Sequence, residues 1–442
     1  MKAPAIPEAR RVFHYQRLVD AAVFVFIACG AIAVIEPSPY DLASLIALPL
    51  WFLGGFTISA SFLIFAFLIV AFNIMGFLAL VPYWDNADSA LYQYQSAYLV
   101  LTGLFYALFM GDRTTHRVEL CLRAYLVGAL IAAVAGILGY AGVAGLGEDV
   151  FLHAGRASGT FKDPNVLGSF LVLPIVYLAH SLLIGRARSA LLAGAMLIVV
   201  FLGMFLSFSR GSYAATLVAV ALMSAAVFAA SQDAGARRRI VFVAVGALAA
   251  IGLLVAALLS VPETREFFAQ RTAAAQEYDV GETGRFGNQL RSIPMLLDRF
   301  MGFGPLRFRL VFDLEPHNSY VGAFANNGWI GGFLFLLLVA ITVWVGLRLM
   351  FSPSPAQPHA QVIAPALIAL FLQGFQIDID HWRFVFFMLG AVWGLEAQRR
   401  RSETLNRPSP PGARASFPSL PMARDGAPSP RRDSARCGCA SP

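Results

Sequence analysis

His317 stands where a long polar stretch meets an apolar one, in the run Glu315-Pro316-His317-Asn318-Ser319-Tyr320. A group at such a boundary is partly desolvated yet within reach of a polar substrate. With an ordinary pKa near 6.5, an imidazole accepts a proton at neutral pH. Taken alone, a histidine at an interface is more often a hydrogen-bonded structural residue. Three arginines invite a chemical reading. Arg156 opens RASGTFKDPNVLGSF, and Arg210 interrupts FLSFSRGSYAATL between two apolar segments with no acidic residue beside it. Arg285 lies in GETGRFGNQLRSIPMLL. An arginine at the hydrocarbon edge is costly and usually faces a cavity or a partner. Guanidinium forks suit diphosphates through bidentate, charge-assisted hydrogen bonds. The cluster Asp378, Asp380, His381 and Arg383 in QIDIDHWRF reads as neutralisation of loop arginines and as an anchor for the last two apolar segments.

Other chemistries find no footing. The remaining histidines, His14, His116, His153, His180, His359 and His381, show neither HxxxH nor HExxH spacing, so no metal site is expected. Phosphate-cradling glycine loops and dinucleotide fingerprints are absent, so no cofactor is expected. An activated substrate has to arrive already energised, as a lipid diphosphate does. Cys29 and Cys121 sit in apolar surroundings and read as packing residues, and the terminal Cys437 and Cys439 form a lone CxC that is weak evidence for a metal.

The elements that must position these residues are set by composition. Of 442 residues, 58% are hydrophobic and only 13% charged, with a mean hydropathy of +0.67. A soluble domain carries about 25% charged residues, so the expected fold is all-α: a polytopic membrane helical bundle of about twelve transmembrane helices. The spans are placed near 18–35, 42–59, 62–81, 96–111, 119–142, 164–184, 189–207, 212–230, 240–260, 318–347, 361–377 and 382–397. The tenth is longer than one span requires and is expected to start as an interfacial or re-entrant piece. Arg113 and Arg117, Arg186 and Arg188, Arg237 to Arg239, and Arg399 to Arg401 fall on one side together with the N-terminal arginines, which makes both termini cytoplasmic. The net charge of +7 reflects this sidedness and does not point to nucleic acid. The chain then divides into a cytoplasmic N-terminus (1–17), a membrane domain (18–401) and a disordered cytoplasmic tail (402–442) rich in Pro, Ser, Arg and Gly.

One connection is out of scale. From Val261 to Pro316, 56 residues carry seven arginines, eight carboxylates and no lysine. A loop this long is usually functional or disordered, and its aromatic residues and glycine turns argue against disorder. Leu290, Ile293, Leu297 and Phe300 recur at helical spacing, so 286–300 is expected as an amphipathic helix in the membrane interface, with Pro294 breaking it or marking its start. The extracytoplasmic loop 261–317 thus contains short helices. Asp163-Pro164 reads as an N-cap followed by a first-turn proline.

RASGTFKDPNVLGSF, FSRGSYAA, TGR, GFGP and PHNSYVGAFANNGWIGG occur in an order and spacing that resemble the O-antigen ligase family and the polymerases related to it, over roughly 150–398. The resemblance implies a metal-independent membrane glycosyltransferase of the bacterial inner membrane, with its active site facing the periplasm. The implied donor is an undecaprenyl-diphosphate-linked glycan, and the acceptor is another glycan, lipid A core or a protein. By the same resemblance His317 matches the catalytic histidine, and Arg210 and Arg285 match the arginines that hold the donor diphosphate. Arg156 and Asn318 join them as substrate-binding positions. Without the resemblance, two other classes stay open. A transporter or flippase of a lipid-linked sugar should show charge in mid-span and related halves. A structural or sensory membrane protein leaves the arginine-bearing loop unexplained.

Overall fold

A computed structural model describes residues 6–143, 150–185, 187–272, 281 and 284–405, with the backbone alone for 6–13, 187–189, 271–272 and 405. Its helices are α1 (Ile6–Cys29), α2 (Pro39–Phe52), α3 (Ala60–Leu80), α4 (Ala87–Gly111), α5 (Thr114–Tyr140), α6 (Pro164–Phe170), α7 (Val172–Ile184), α8 (Ala187–Leu206), α9 (Arg210–Ala230) and α10 (Ala234–Leu259). The long loop follows, with α11 (Pro262–Thr272), α12 (Arg285–Leu297) and α13 (Arg309–Phe312). Then come α14 (Ser319–Phe351), α15 (Gln357–Gln373) and α16 (Arg383–Leu405). The only strands among the described residues are β1 (Leu152–His153) and β2 (Arg156–Ala157), an antiparallel pair.

Each of the twelve expected segments overlaps helix, but 164–184 is two helices, α6 and α7, and 18–35 and 42–59 run past the ends of α1 and α2. Six helices are long and apolar enough to cross a membrane by themselves: Ala60–Tyr83, Thr114–Tyr140, Pro164–Ile184, Arg210–Ala230, Ala234–Leu259 and Ser319–Phe351. The others are shorter or more polar; α2 has only 14 residues and α15 has 17. Starts follow local chemistry. Ser38 and Asp41 form a reciprocal capping box on α2, and Asp163 caps α6 ahead of Pro164. Small residues let helices approach closely where lipid offers no hydrophobic drive for association. At Gly390 a Cβ would stand 2.5 Å from Tyr106 Cβ and 2.6 Å from the Gly103 carbonyl, which seats α16 tightly on α4.

The connections gather at two ends. At one, Tyr92 donates to Asp380 at 2.8 Å, Arg383 grips Ser38 and Asp41, Arg309 reaches Asp88 at 3.3 Å, and Lys162 pairs with Glu36. At the other, His116 meets Asp20 at 3.0 Å, Arg401 donates to the Gly111 carbonyl at 2.6 Å, and Arg239 donates to the Gly185 carbonyl. These are the two sets of connections that the arginine distribution separates. The final helix runs to Leu405, past the expected boundary at Arg401. The rest of the tail, Cys437, Cys439 and Thr283 of the TGR motif lie outside the described residues.

Helix α14 explains two of the motifs together. Its 33 residues are interrupted at Gly328, whose φ of 69° and ψ of −173° suit no side-chain-bearing residue. The interruption frees carbonyls, and the loop returns to satisfy them. Phe303 and Gly304 amides donate to the Ala325 carbonyl at 2.8 and 3.0 Å, and the Trp329 amide donates to the Phe300 carbonyl at 2.9 Å. Gly302 permits this approach, since a Cβ there would lie 2.5 Å from the Phe324 and Ala325 carbonyls. Around the junction, Leu296, Phe303, Phe308, Phe312 and Ala325 form a small core separate from the bundle. The loop therefore docks onto the break, and α14 starts as a short piece set apart from its membrane-length remainder. Gly328→Ala adds a Cβ 2.6 Å from the Phe300 carbonyl in a glycine-only conformation. It is expected to cost about 2 kcal/mol or more, read as a lower unfolding midpoint in detergent; an unchanged midpoint would contradict the docking.

Candidate active site

The first turn of α14 is built around Asn318. In extended geometry, its side-chain oxygen accepts from the Tyr320 and Val321 amides at 3.0 and 3.2 Å, an N-cap. Its amide nitrogen donates to Gln289 Oε1 at 3.3 Å, and Gln289 Nε2 donates to the Pro316 carbonyl at 2.8 Å. Asn318 is buried and its side chain is engaged by protein on both sides, which makes it a positioning residue for its neighbour. That neighbour, His317, sits at φ 45°, a left-handed conformation that costs a non-glycine residue roughly 1 kcal/mol and recurs at functional sites.

Asp378 fixes both residues. Its Oδ1 accepts from the Asn318 backbone amide at 3.0 Å, and its Oδ2 lies 3.3 Å from His317 Nδ1. With Nδ1–H directed at the carboxylate, Nε2 carries the lone pair and is the proton-accepting atom. The hydrogen bond to Asp378 raises the His317 pKa, with help from the negative charges of Asp378 and Glu315; partial burial and the nearby Arg285 oppose it. Glu315 is pushed up to about 6, first by burial and then by Asp378, with Arg309 and His317 pulling the other way. The site therefore holds an imidazole and a carboxyl whose pKa values are both raised.

A second histidine–aspartate pair stands close by and makes an instructive contrast. His381 Nδ1 is 3.0 Å from Asp380 Oδ2, its Nε2 is 3.3 Å from the Tyr92 carbonyl, and its ring lies 3.9 Å from the Tyr92 ring. Burial works to raise the Asp380 pKa, but His381 and the Tyr92 hydroxyl overcome it and hold the group below its usual value. Both His381 nitrogens are engaged by protein, so His381 is placed to hold structure. His317 uses one nitrogen and remains half-exposed, with 44% of its side chain accessible.

One arginine, Arg285, is held by the same stretch that carries Asp378. Arg285, the first residue of α12, donates through Nη1 to the Gln376 carbonyl at 3.0 Å and rests over the Phe286 ring at 4.8 Å. Arg210 is the first residue of α9, behind the Ser209 cap. At the next position a Cβ on Gly211 would lie 2.8 Å from Gln373 Nε2, so the start of α9 abuts the end of α15. Gln373 also donates to Ser169 Oγ at 2.8 Å, which joins α6. Arg156 is set one step away: its Nε donates to the Ser207 carbonyl and its Nη2 to Asn165 Oδ1, both at 2.8 Å. The structure thus brings His317, Asn318 and Arg285 onto residues 376–378, sets Gly211, the neighbour of Arg210, against residue 373, and holds Arg156 against the turn that leads to Arg210.

Two further features bear on chemistry. Helix α12 runs through Pro294 with an inverted amphipathic pattern: Asn288, Gln289 and Ser292 are buried, whereas Leu290, Ile293 and Leu297 are exposed. That is the pattern of a helix whose outer face meets lipid. An apolar groove of about 520 Å³ lies between α7, α8, α9, α10 and α11, and Tyr213, one turn into α9 from Arg210, is part of its wall. Sequence reasoning missed the partnership of Asp378 with His317 and the roles of Gln289 and Gln373. The only signal was the polar alternation Gln373, Gln376, Asp378, Asp380 at the end of an apolar segment.

Because Asp378 holds the His317 pKa up, the charged pair stabilises the fold fully below about pH 6.5, and this contribution is lost as pH rises through the raised value. Asp378→Asn is expected to move the titration of His317 to lower pH. The pH dependence of His317 carbethoxylation, followed by mass spectrometry, measures this; an unshifted midpoint would contradict the pairing.

No curated protein matches the chain. Residues 195–336 match the sequence profile of the family described as O-antigen ligase, a narrower stretch than the motifs suggested. It includes Arg210, Arg285, His317 and Asn318 and leaves out Arg156 and Asp378. Over residues 195–336, this chain is thus similar to the O-antigen ligase family.

Proposed function

We propose that this protein transfers a glycan from a polyprenyl diphosphate, of the undecaprenyl type, to an acceptor hydroxyl at the outer face of the bacterial inner membrane. His317 acts as the general base. Its Nε2 takes the proton from the acceptor hydroxyl as that oxygen bonds to the anomeric carbon. The bond from that carbon to the diphosphate oxygen breaks on the opposite side, and the diphosphate leaves with the electron pair, so the configuration inverts. Arg210 and Arg285 hold the donor diphosphate and stabilise the charge that builds on it, with Arg156 reinforcing the turn before Arg210. Asp378 keeps His317 in the tautomer that accepts at Nε2, and no metal is assigned a role.

The observation that carries this reading is the placement of His317, with one free ring nitrogen, beside Arg285 on the single stretch 376–378. The groove walled by Tyr213 supports it, since an apolar channel one turn from Arg210 suits a polyprenyl tail whose diphosphate reaches that arginine. The exposed apolar face of α12 supports a loop lying at a lipid surface, and the arginine-rich connections at the other end support a cytoplasmic position for that end. The acceptor is a glycan, lipid A core or protein, and the protein is accordingly a ligase or a polymerase.

His317→Ala is expected to reduce glycan transfer from a labelled polyprenyl-diphosphate donor by about 10²–10⁴-fold, with the amount of protein in the membrane unchanged. Unimpaired transfer would overturn the assignment. A base works in its neutral form, so transfer should rise with pH through the raised His317 pKa. Arg285→Lys keeps the charge but loses the fork, and is expected to lower transfer by about tenfold or more; wild-type rates in that variant would remove Arg285 from the donor site.

A further inference from the structure

A second cavity, of about 660 Å³, opens at the same end of the bundle and shares no lining residue with the groove walled by Tyr213. Its walls come from the α1–α2 link, α2, α4, residues 161–166 and residues 381–384. It lies within the size range of small-molecule sites, roughly 300–1,000 Å³. The last of its wall segments begins at His381, three residues beyond Asp378.

Charge decides what this cavity accepts. It contains two permanent cations, and both are committed to carboxylates: Lys162 pairs with Glu36, and Arg383 lies 3.0 Å from Asp41 and donates to Ser38 at 2.6 Å. His381 is held by Asp380. Asp163, also in the wall, pairs with no cation among the described residues and accepts from the Asn165 amide as a helix cap. The balance is slightly negative, which disfavours a phosphate or carboxylate head group. Carboxylate oxygens, the Gln95 amide and the Tyr98 hydroxyl oxygen, whose proton goes to Ser44 at 3.0 Å, instead offer acceptors to a neutral polyol, and the Gln95 amide also offers a donor. Tyr94, exposed at 48%, and Trp382 offer ring faces for the C–H face of a pyranose.

The lower wall differs. Leu42, Leu45 and Leu91 line it and are 55–72% exposed, so the cavity opens sideways along an apolar surface. A site with a hydroxyl-matching upper part and a hydrocarbon-matching lateral opening fits an amphiphile with an uncharged sugar head. We infer that this cavity binds the sugar head of a glycolipid, with its alkyl chain leaving between Leu45 and Leu91. Read with the proposed transfer chemistry, on which this assignment of role rests, it is the entry site of a lipid-anchored acceptor glycan.

The test uses the full chain in lipid nanodiscs and an octyl glucoside bearing a diazirine on its alkyl chain, with photolabelled residues mapped by mass spectrometry. Saturable labelling is expected at residues 42–45 and 91–98. It should fall about tenfold in the Tyr94→Ala, Gln95→Ala double variant, the effect of losing roughly 1.4 kcal/mol of contact. It should fall similarly in Leu45→Trp, an exposed position where added bulk closes the lateral opening without touching the fold. His317→Ala should leave the labelling intact, so a failure of the base assignment is distinguishable from a failure of this site. Labelling that does not saturate, that persists in both variants, or that an octyl phosphate probe reproduces would overturn the inference.

Discussion

Asp378 carries two obligations that no other residue could meet from the same place. A carboxylate at the rim of a helical bundle needs hydrogen-bond donors, and Asp378 finds them in the backbone amide of Asn318 and the ring of His317. Those residues begin the membrane-length helix that the long loop feeds. The interaction ties the end of α15 to the start of α14, which are also joined by the Ser319 amide on the Gly374 carbonyl at 2.8 Å. Because Arg285 reaches the Gln376 carbonyl and the start of α9 abuts Gln373, displacement of residues 373–378 would scatter every residue assigned a chemical role. Precision at this site comes from one short stretch that several helices share.

The interruption of α14 serves the same end. A continuous helix of 33 residues would be about 50 Å long at 1.5 Å per residue, far more than the roughly 30 Å of a bilayer core. Breaking it at Gly328 separates a short site-bearing piece from the spanning part. The Ala325 carbonyl opened by the break is met by the loop at Phe303 and Gly304, so the feature that shortens the span also anchors the loop. Polar satisfaction drives both, because an unpaired backbone group near hydrocarbon is costly.

Much of this was legible from residue order. Apolar segments of the right length predict the helices, the asymmetry of arginines separates the two ends, and the HNSY run marks the histidine. The Asp163-Pro164 cap and the amphipathic α12 are readable because capping and helical periodicity are local. The partnership of His317 with Asp378 is not, since 61 positions separate them and nothing in either neighbourhood names the other. The same holds for Gln289 beneath Asn318, which local reading places on an interfacial helix without revealing that its polar face points inward. The contrast between His317 and His381 is likewise invisible in sequence: both adjoin carboxylates, and only the Tyr92 carbonyl and ring distinguish the engaged histidine from the available one.

The central claim is that the arginines at the starts of α9 and α12 hold a diphosphate in front of His317. A structure of the protein with a non-transferable phosphonate analogue of a glycosylated polyprenyl diphosphate tests it most directly. The account predicts the diphosphate oxygens against Arg210 and Arg285, the anomeric carbon facing His317 Nε2, and the polyprenyl chain in the groove walled by Tyr213. A head group bound at the opposite end of the bundle, or one that leaves both arginines uncontacted, would contradict it.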